Sequence, residues 1–289
     1  VLVKDISSAG SSSPGAFTNV NGTLFFQAND GINGYELWKS DGTPEGTILV
    51  KDMTPGRAGS HGEISFTHIM SGFKNINGTL FFAANQNNAY YIWKSDGTPE
   101  GTIPLHPAEG PGISNPLPQF TYMNGAIYFF NNTDELYAND YQLFRMNEDG
   151  SDPQPLIGIS YYDYYNTYYP EIVNVGDHLY IAAQLGGGAT LIKSDGTPEG
   201  TKEFLDVHDG TISSYPDHLL SFNGNVYFET DLFSDYYYDS FEGGLWRTDG
   251  TSRGTDPMME QLQEIKGATA GDILYITAFQ GNRYGLWKV

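Results

Sequence analysis

Trp38-Lys39-Ser40-Asp41-Gly42-Thr43-Pro44-Glu45-Gly46-Thr47 recurs without a change as residues 93–102. It returns as residues 192–201 with Ile192 in place of Trp, and as Trp246-Arg247-Thr248-Asp249-Gly250-Thr251 ending on Gly254-Thr255. A decayed copy is Phe144-Arg145-Met146-Asn147-Glu148-Asp149-Gly150, and a truncated one is Leu286-Trp287-Lys288-Val289. The anchors 38, 93, 144, 192, 246 and 287 therefore mark six units. Such self-similarity identifies a repeat architecture.

A second motif precedes each anchor. Asn21-Gly22-Thr23-Leu24-Phe25-Phe26 matches Asn77-Gly78-Thr79-Leu80-Phe81-Phe82, and weaker forms begin at Asn124, Gly176, Asn223 and Gly271. Asn-Gly between short apolar runs signals a tight hairpin, because both turn positions need positive φ. Each unit reads as four strands, in the first about 17–20, 23–28, 35–40 and 47–52. Four-stranded repeats of this length are propeller blades. The sequence thus predicts an all-β, six-bladed β-propeller as a single domain over 1–289. Its units run roughly 16–52, 71–106, 119–157, 171–206, 218–260, and 264–289 with 1–5. The sixth unit stops after its third strand, while Leu2-Val3-Lys4-Asp5 matches Leu49-Val50-Lys51-Asp52. The N-terminal strand is expected to close the last blade and remove its open edge.

The run Glu36-Leu37-Trp38-Lys39-Ser40-Asp41-Gly42-Thr43 resembles the bacterial ELWxxDGT repeat family. The resemblance covers nearly the whole chain. It is most specific in units one and two, and good in four and five. Unit three departs from it: Leu143 to Ser151 looks more like the YWTD-type six-bladed repeats. The family resemblance implies a bacterial extracellular or cell-surface setting within large secreted proteins. It implies no catalytic residues.

Composition agrees with a strand-rich fold. The chain has 289 residues, 21 Tyr, 17 Phe, 35 Gly and no Cys. Its net charge of −21 repels nucleic acid and anionic membranes and favours cations such as calcium, or neutral glycans. The residues given show no signal-peptide pattern, and no apolar run among them approaches a membrane span. The chain begins in mid-pattern, which reads as a processed or excised domain.

The Asp-Gly-Thr turn admits two readings. A calcium loop in every blade is one. The other, better supported by turn chemistry, is structural: Asp and Thr cap amides while Gly takes positive φ. The anchor Trp residues are expected to pack between blades rather than stack on sugars. The basic residues that follow the anchors, Lys39, Lys94, Arg145, Lys193, Arg247 and Lys288, are expected to run along a blade face toward carboxylates.

Strand direction sorts the loops. The uniform turns share one rim, and the irregular segments share the other. Three segments stand out on the second rim, in units three to five. One carries Tyr161, Tyr162, Asp163, Tyr164, Tyr165, Tyr168 and Tyr169. Another carries Asp235, Tyr236, Tyr237, Tyr238 and Asp239, and a third Asp134 and Tyr137. Tyr offers a rigid apolar face with a hydroxyl, and acids and amides match sugar hydroxyls or calcium. The competing reading is that these segments only pack over the blade mouths. A second candidate is a broken ring of acids at the fourth-strand ends, Asp5, Asp52, Asp206 and Glu260, placed to hold a cation or to cap the following loop.

No transition-metal motif, nucleophile elbow, Walker loop or dinucleotide fingerprint is present. Sialidase-like and phytase-like chemistry would need more basic residues on the irregular rim than the chain offers. The expectation is a non-catalytic extracellular adhesion or recognition module, with a glycan or surface protein as partner. It would be part of a larger secreted protein, without nucleic acid or membrane insertion. The alternatives are a calcium-supported polysaccharide hydrolase or lyase, and a structural module of a surface protein or filament.

Overall fold

The structure is a computed structural model. It describes residues 1–8, 10–53, 70–86, 89–105, 119–132, 140–160, 170–185, 188–205, 216–230, 244–260, 262–270, 272–280 and 283–289. Secondary structure there is β throughout, apart from one 3-10 turn at Ser252–Gly254. The first blade is β1 (Gly15–Val20), β2 (Thr23–Asn29), β3 (Tyr35–Ser40) and β4 (Ile48–Lys51). The second is β5 (Ser71–Ile76), β6 (Thr79–Gln86), β7 (Ala89–Ser95) and β8 (Ile103–Pro104). The third is β9 (Phe120–Met123), β10 (Ala126–Asn132), β11 (Asp140–Asn147) and β12 (Gln154–Ser160). The fourth is β13 (Glu171–Val175), β14 (His178–Leu185), β15 (Gly188–Ser194) and β16 (Lys202–Leu205). The fifth is β17 (Pro216–Phe222), β18 (Asn225–Thr230), β19 (Gly244–Thr248) and β20 (Thr255–Glu260), and the sixth is β21 (Leu262–Ala270), β22 (Ile273–Gln280) and β23 (Arg283–Lys288).

Every blade is an antiparallel meander in chain order. Blades three and four share one sheet, because Ser160 of β12 pairs with Gln184 of β14. The chain divides into two compact units: Val1–Pro118 with Asp149–Ser151, and Gln119–Glu148 with Asp152–Val289. The strands fall where the repeat puts them, with the first blade's limits shifted by a residue or two. The predicted Asn-Gly turns are present, with φ of 51° and 86° at Asn21 and Gly22 and the same left-handed pair at 77–78, 124–125 and 223–224.

The Asp-Gly-Thr turn is a closed network of hydrogen bonds. Asp41 Oδ1 accepts from the Thr43 amide at 2.9 Å and from its hydroxyl at 2.7 Å. Thr43 Oγ1 accepts from the Gly46 amide, Ser40 Oγ from the Gly42 amide, and the Ser40 and Thr47 hydroxyls meet at 2.7 Å. The same bonds recur at 95–102, 194–201 and 248–255. Asp149 and Ser151 keep the first two in blade three. These bonds hold the carboxyls of Asp41, Asp96, Asp149, Asp195 and Asp249 below the usual Asp range. A Cβ on Gly46, Gly101, Gly200 or Gly254 would collide with the capping carboxylate of its own turn, so a side chain there displaces the cap.

Among the basic residues after the anchors, Arg247 reaches a carboxylate as expected, its Nη2 3.4 Å from Asp256 Oδ2, but Lys39 and Lys193 do not. Lys39 Nζ donates to the Gly97 carbonyl at 2.7 Å, and Lys193 Nζ to the Gly250 carbonyl at 2.9 Å. Both acceptors lie in the Asp-Gly-Thr turn of the following blade. A carbonyl wins over a carboxylate because the aspartate is already occupied by its own turn, whereas the glycine carbonyl points out of it. The aromatic facing Lys39 in β2, Phe25, also reaches Gly97, and Tyr180 reaches Gly250 in the same way. Lys51 adds a second tie, to the Pro99 and Thr102 carbonyls at 3.0 and 2.6 Å.

Three of the anchors, Trp93, Trp246 and Trp287, pack between blades as expected. Trp93 is fully buried in a cluster with Val20, Phe25, Leu37, Val50, Leu80 and Phe82 from blades one and two. Trp246 packs against Tyr180, Ala182 and Leu191 of blade four, and Trp287 against Tyr227 and Leu245 of blade five. Full burial of a large apolar side chain, as at Trp93, stabilises by roughly 1.5–3 kcal/mol.

The last blade differs from expectation. Its sheet has three strands among the described residues, and residues 1–5 form none. The residue before the anchor is at most 8% exposed in the first five blades (Leu37, Ile92, Leu143, Leu191, Leu245), but Leu286 is 68% exposed. Val3 is 40% exposed, where its counterpart Val50 is 3%. Lys4 nonetheless donates to the Pro44 and Thr47 carbonyls at 3.1 and 2.7 Å, repeating against blade one what Lys51 does against blade two.

Gly101→Ala is expected to lower unfolding free energy by about 1–3 kcal/mol, since the new methyl displaces the Asp96 carboxylate. Chemical denaturation checks this. On the acid side, groups with depressed folded pKa contribute stability above their unfolded pKa and lose it as pH falls through the folded value. The turn aspartates should therefore weaken the fold only below about pH 4, read as a falling melting temperature there.

Candidate functional site

The Tyr/Asp-rich segments nominated by the sequence lie outside the described residues: 161–169, 231–243 and 133–139, which include Asp134, Tyr137, Tyr161, Tyr162, Asp163, Tyr164, Tyr165, Tyr168, Tyr169, Asp235, Tyr236, Tyr237, Tyr238 and Asp239. The positions where the chain enters and leaves them are described. Asp140, which follows 133–139, pairs with Ser160, which precedes 161–169. Ser160 pairs in turn with Gln184. Thr230, before 231–243, pairs with Gly244, after it. Among the nominated acids, Asp5 is exposed and Asp52 half-buried. Asp206 and the Glu260 side chain lie outside the described residues. Among the described residues no three His, Cys, Asp or Glu side chains are grouped to hold a metal ion.

The structure assembles at this same end a cluster that sequence reading missed. Glu171 opens β13 directly after Pro170. Its Oε2 accepts the Leu219 amide of β17 at 2.6 Å. Asp217 of β17 pairs across the sheet with Glu229 of β18. His218 lies between them, its Nδ1 3.2 Å from Glu229 Oε2 and 3.5 Å from Asp217 Oδ2. Glu229 Oε2 also accepts the Ile265 amide of β21 at 3.1 Å. His218 has φ of 53°, because it occupies the bulge between Asp217 and Leu220. Blades one and two bulge at the matching place in β1 and β5, with positive φ at Ala16 and Gly72.

Position in the repeat explains the carboxylates. Gln27 stands where Glu229 does, and its Oε1 accepts the Met70 amide ahead of β5 at 3.1 Å. The repeat thus places a side-chain oxygen where it caps an amide at the start of the next blade. Burial raises the Glu171 carboxyl to about 7, helped by the neighbouring Asp217 charge and opposed by the Leu219 amide and His218. The Glu229 carboxylate 3.2 Å away raises His218 to about 9, against the effect of burial and with help from the charges of Asp217 and Glu171. Glu36, the acid of the Glu-Leu-Trp run, is likewise buried at 1% exposure and accepts the Met53 amide at 2.9 Å. An acid inside an apolar strand was the signal for it.

No family model matches the sequence, and no curated protein matches it. Solved structures share the fold. An oligogalacturonate lyase in complex with manganese is 10% identical, with 94% of this chain and 74% of that one covered at a TM-score of 0.57. The β-propeller domain of the Trilobed protease from Pyrococcus furiosus, described as having an open velcro topology, is 8% identical over 98% and 82% at 0.56. The Pyrococcus horikoshii acylaminoacyl peptidase is 12% identical over 95% and 43% at 0.57. The chain spans 52% of the puromycin hydrolases it matches and less than half of that peptidase. The neighbours include enzymes and a propeller domain, so the likeness carries the fold and leaves activity open. No helix among the described residues is long and apolar enough to cross a membrane.

Glu229→Ala should cost about 3 kcal/mol or more, because it strands His218 and the Ile265 amide together. Glu203→Ala, on the exposed face of β16, should stay within about 0.5 kcal/mol. Urea unfolding of both variants makes the comparison.

Proposed function

We propose that this chain is a non-catalytic recognition or adhesion propeller, acting outside the bacterial cell, that binds a glycan or protein partner through its Tyr/Asp-rich segments. The observation that carries the reading is the pairing of Asp140 with Ser160, which sets the exits of 133–139 and 161–169 side by side. The Glu171–Leu219 bond and the Asp217–Glu229 pairing bring the exit of 161–169 near the start of 231–243. The 17 Tyr, Asp and Asn residues of these three segments suit sugar or protein recognition. The acids and His218 at that end each hold an amide or one another, which favours binding over catalysis.

In this reading residues 1–5 also supply the outer strand of the last blade. The exposed Leu286 and the exposed Val3 are the two halves of the apolar contact that Leu37 and Val50 make in blade one. Lys4 already makes the contacts of a fourth-strand lysine. The open topology of the archaeal protease domain is the competing arrangement.

A glycan array and surface-protein capture, run with calcium and with chelator, test recognition. Replacing 161–169 with a Gly/Ser linker should abolish binding while the melting temperature holds. Retained binding, or turnover of a polysaccharide panel, overturns the reading. For closure, the Lys39–Ile48 pairing of blade one maps to Lys288 and Val1. With no native Cys, Val1→Cys with Lys288→Cys should form an intramolecular disulfide on oxidation. A disulfide-linked dimer would indicate exchange between copies, and no crosslink an open blade.

A further inference from the structure

We propose that Glu171, Asp217, His218 and Glu229 form a pH-sensitive clasp. It ties blades four, five and six together where the Tyr/Asp-rich segments leave the fold, and it loosens as pH rises. The geometry makes one chain of contacts across three blades. Glu171 of β13 holds the Leu219 amide of β17. His218 of β17 faces Glu229 of β18, and Glu229 holds the Ile265 amide of β21. Three carboxyls and one imidazole meet there. The arrangement is compact only while the imidazole and the buried Glu171 carboxyl each carry a proton. Two ionised carboxylates in contact repel, and a neutral imidazole no longer pairs with Glu229.

The ionisable groups acting on Glu171 are Asp217 and His218, and those acting on His218 are Glu229, Asp217 and Glu171. β9, packed beside β13, brings Tyr122, whose hydroxyl donates to Glu148 at 3.1 Å. β21, packed against β17 and β18, brings the exposed Lys266. Both shifts act in one direction. Glu171 binds its proton more tightly folded than unfolded, so its contribution is complete below about 4.5 and is lost as pH rises through about 7. The contribution of His218 is complete below about 6.5 and is lost as pH rises through about 9. This window is separate from that of the turn aspartates, which act below about pH 4. The device requires no ligand and does not depend on the recognition reading.

The test follows melting temperature and the exchange rates of the Leu219 and Ile265 amides from pH 5 to pH 9. The full chain is compared with Glu171→Gln and His218→Asn, Asn being tolerant of the left-handed backbone at 218. In the unaltered chain, melting temperature should fall and both amides should exchange progressively faster, beyond the intrinsic base-catalysed increase, as pH rises. Glu171→Gln should flatten the step below pH 7, and His218→Asn the step above it. A flat profile in the unaltered chain, or variants with its full slope, overturns the proposal. Should either variant fail to fold, NMR titration of the unaltered His218 ring decides: a midpoint near 9 supports the clasp, and one near 6.5 overturns it.

Discussion

The contact on which the paired blades depend is the seat that the Asp-Gly-Thr turns at 96–98 and 249–251 offer to the blade before them. A tight turn normally ends a strand and contributes little else. Here the aspartate closes the loop on itself through Thr43 and against Gly46, leaving the carbonyl beyond its own reach. That carbonyl is what the preceding blade takes: Lys39 binds Gly97 and Lys193 binds Gly250, each beside an aromatic from the same blade. One recurring peptide thus serves as hairpin, cap and interface at once. The turn recurs nearly letter for letter because its side chains close the loop locally while several of its carbonyls receive a lysine from outside it.

The opposite end of the blades follows another logic. Amides at the start of an inner strand need acceptors, and neighbouring blades supply them from side chains: Gln27 for Met70, Glu171 for Leu219, Glu229 for Ile265. Where the acceptor is Gln the tie is neutral. At Glu171, burial and crowding of charge make it responsive to protons. The acids described at this end are therefore structurally engaged, with Glu171 and Glu229 committed to backbone amides.

How much was legible can be judged residue by residue. Strand limits in the first blade came within two residues of the reading, because Asn21-Gly22 and Asp41-Gly42 are turns of defined geometry whose spacing leaves room only for short strands. The burial of Trp93 was legible from its recurrence at one strand position. The carbonyl partner of Lys39 was not, because a charge count favours carboxylates and cannot see that Asp96 is occupied by Thr98. The role of Glu36 was hidden by its own motif, whose acid looks solvent-facing until Met53 folds back to it.

By itself the sequence determined the all-β class, six blades, their order and their turns, since each follows from contacts within about fifty residues of chain. Tertiary structure alone decided which side chains meet at positions 171, 217, 218, 229 and 265, because those contacts join strands of different blades. It also decided that Leu286 and Val3 stand exposed where their repeat counterparts are buried. A repeat specifies what every blade shares. Chemistry that arises where two blades differ, as at Gln27 and Glu229, appears only when their strands are packed side by side.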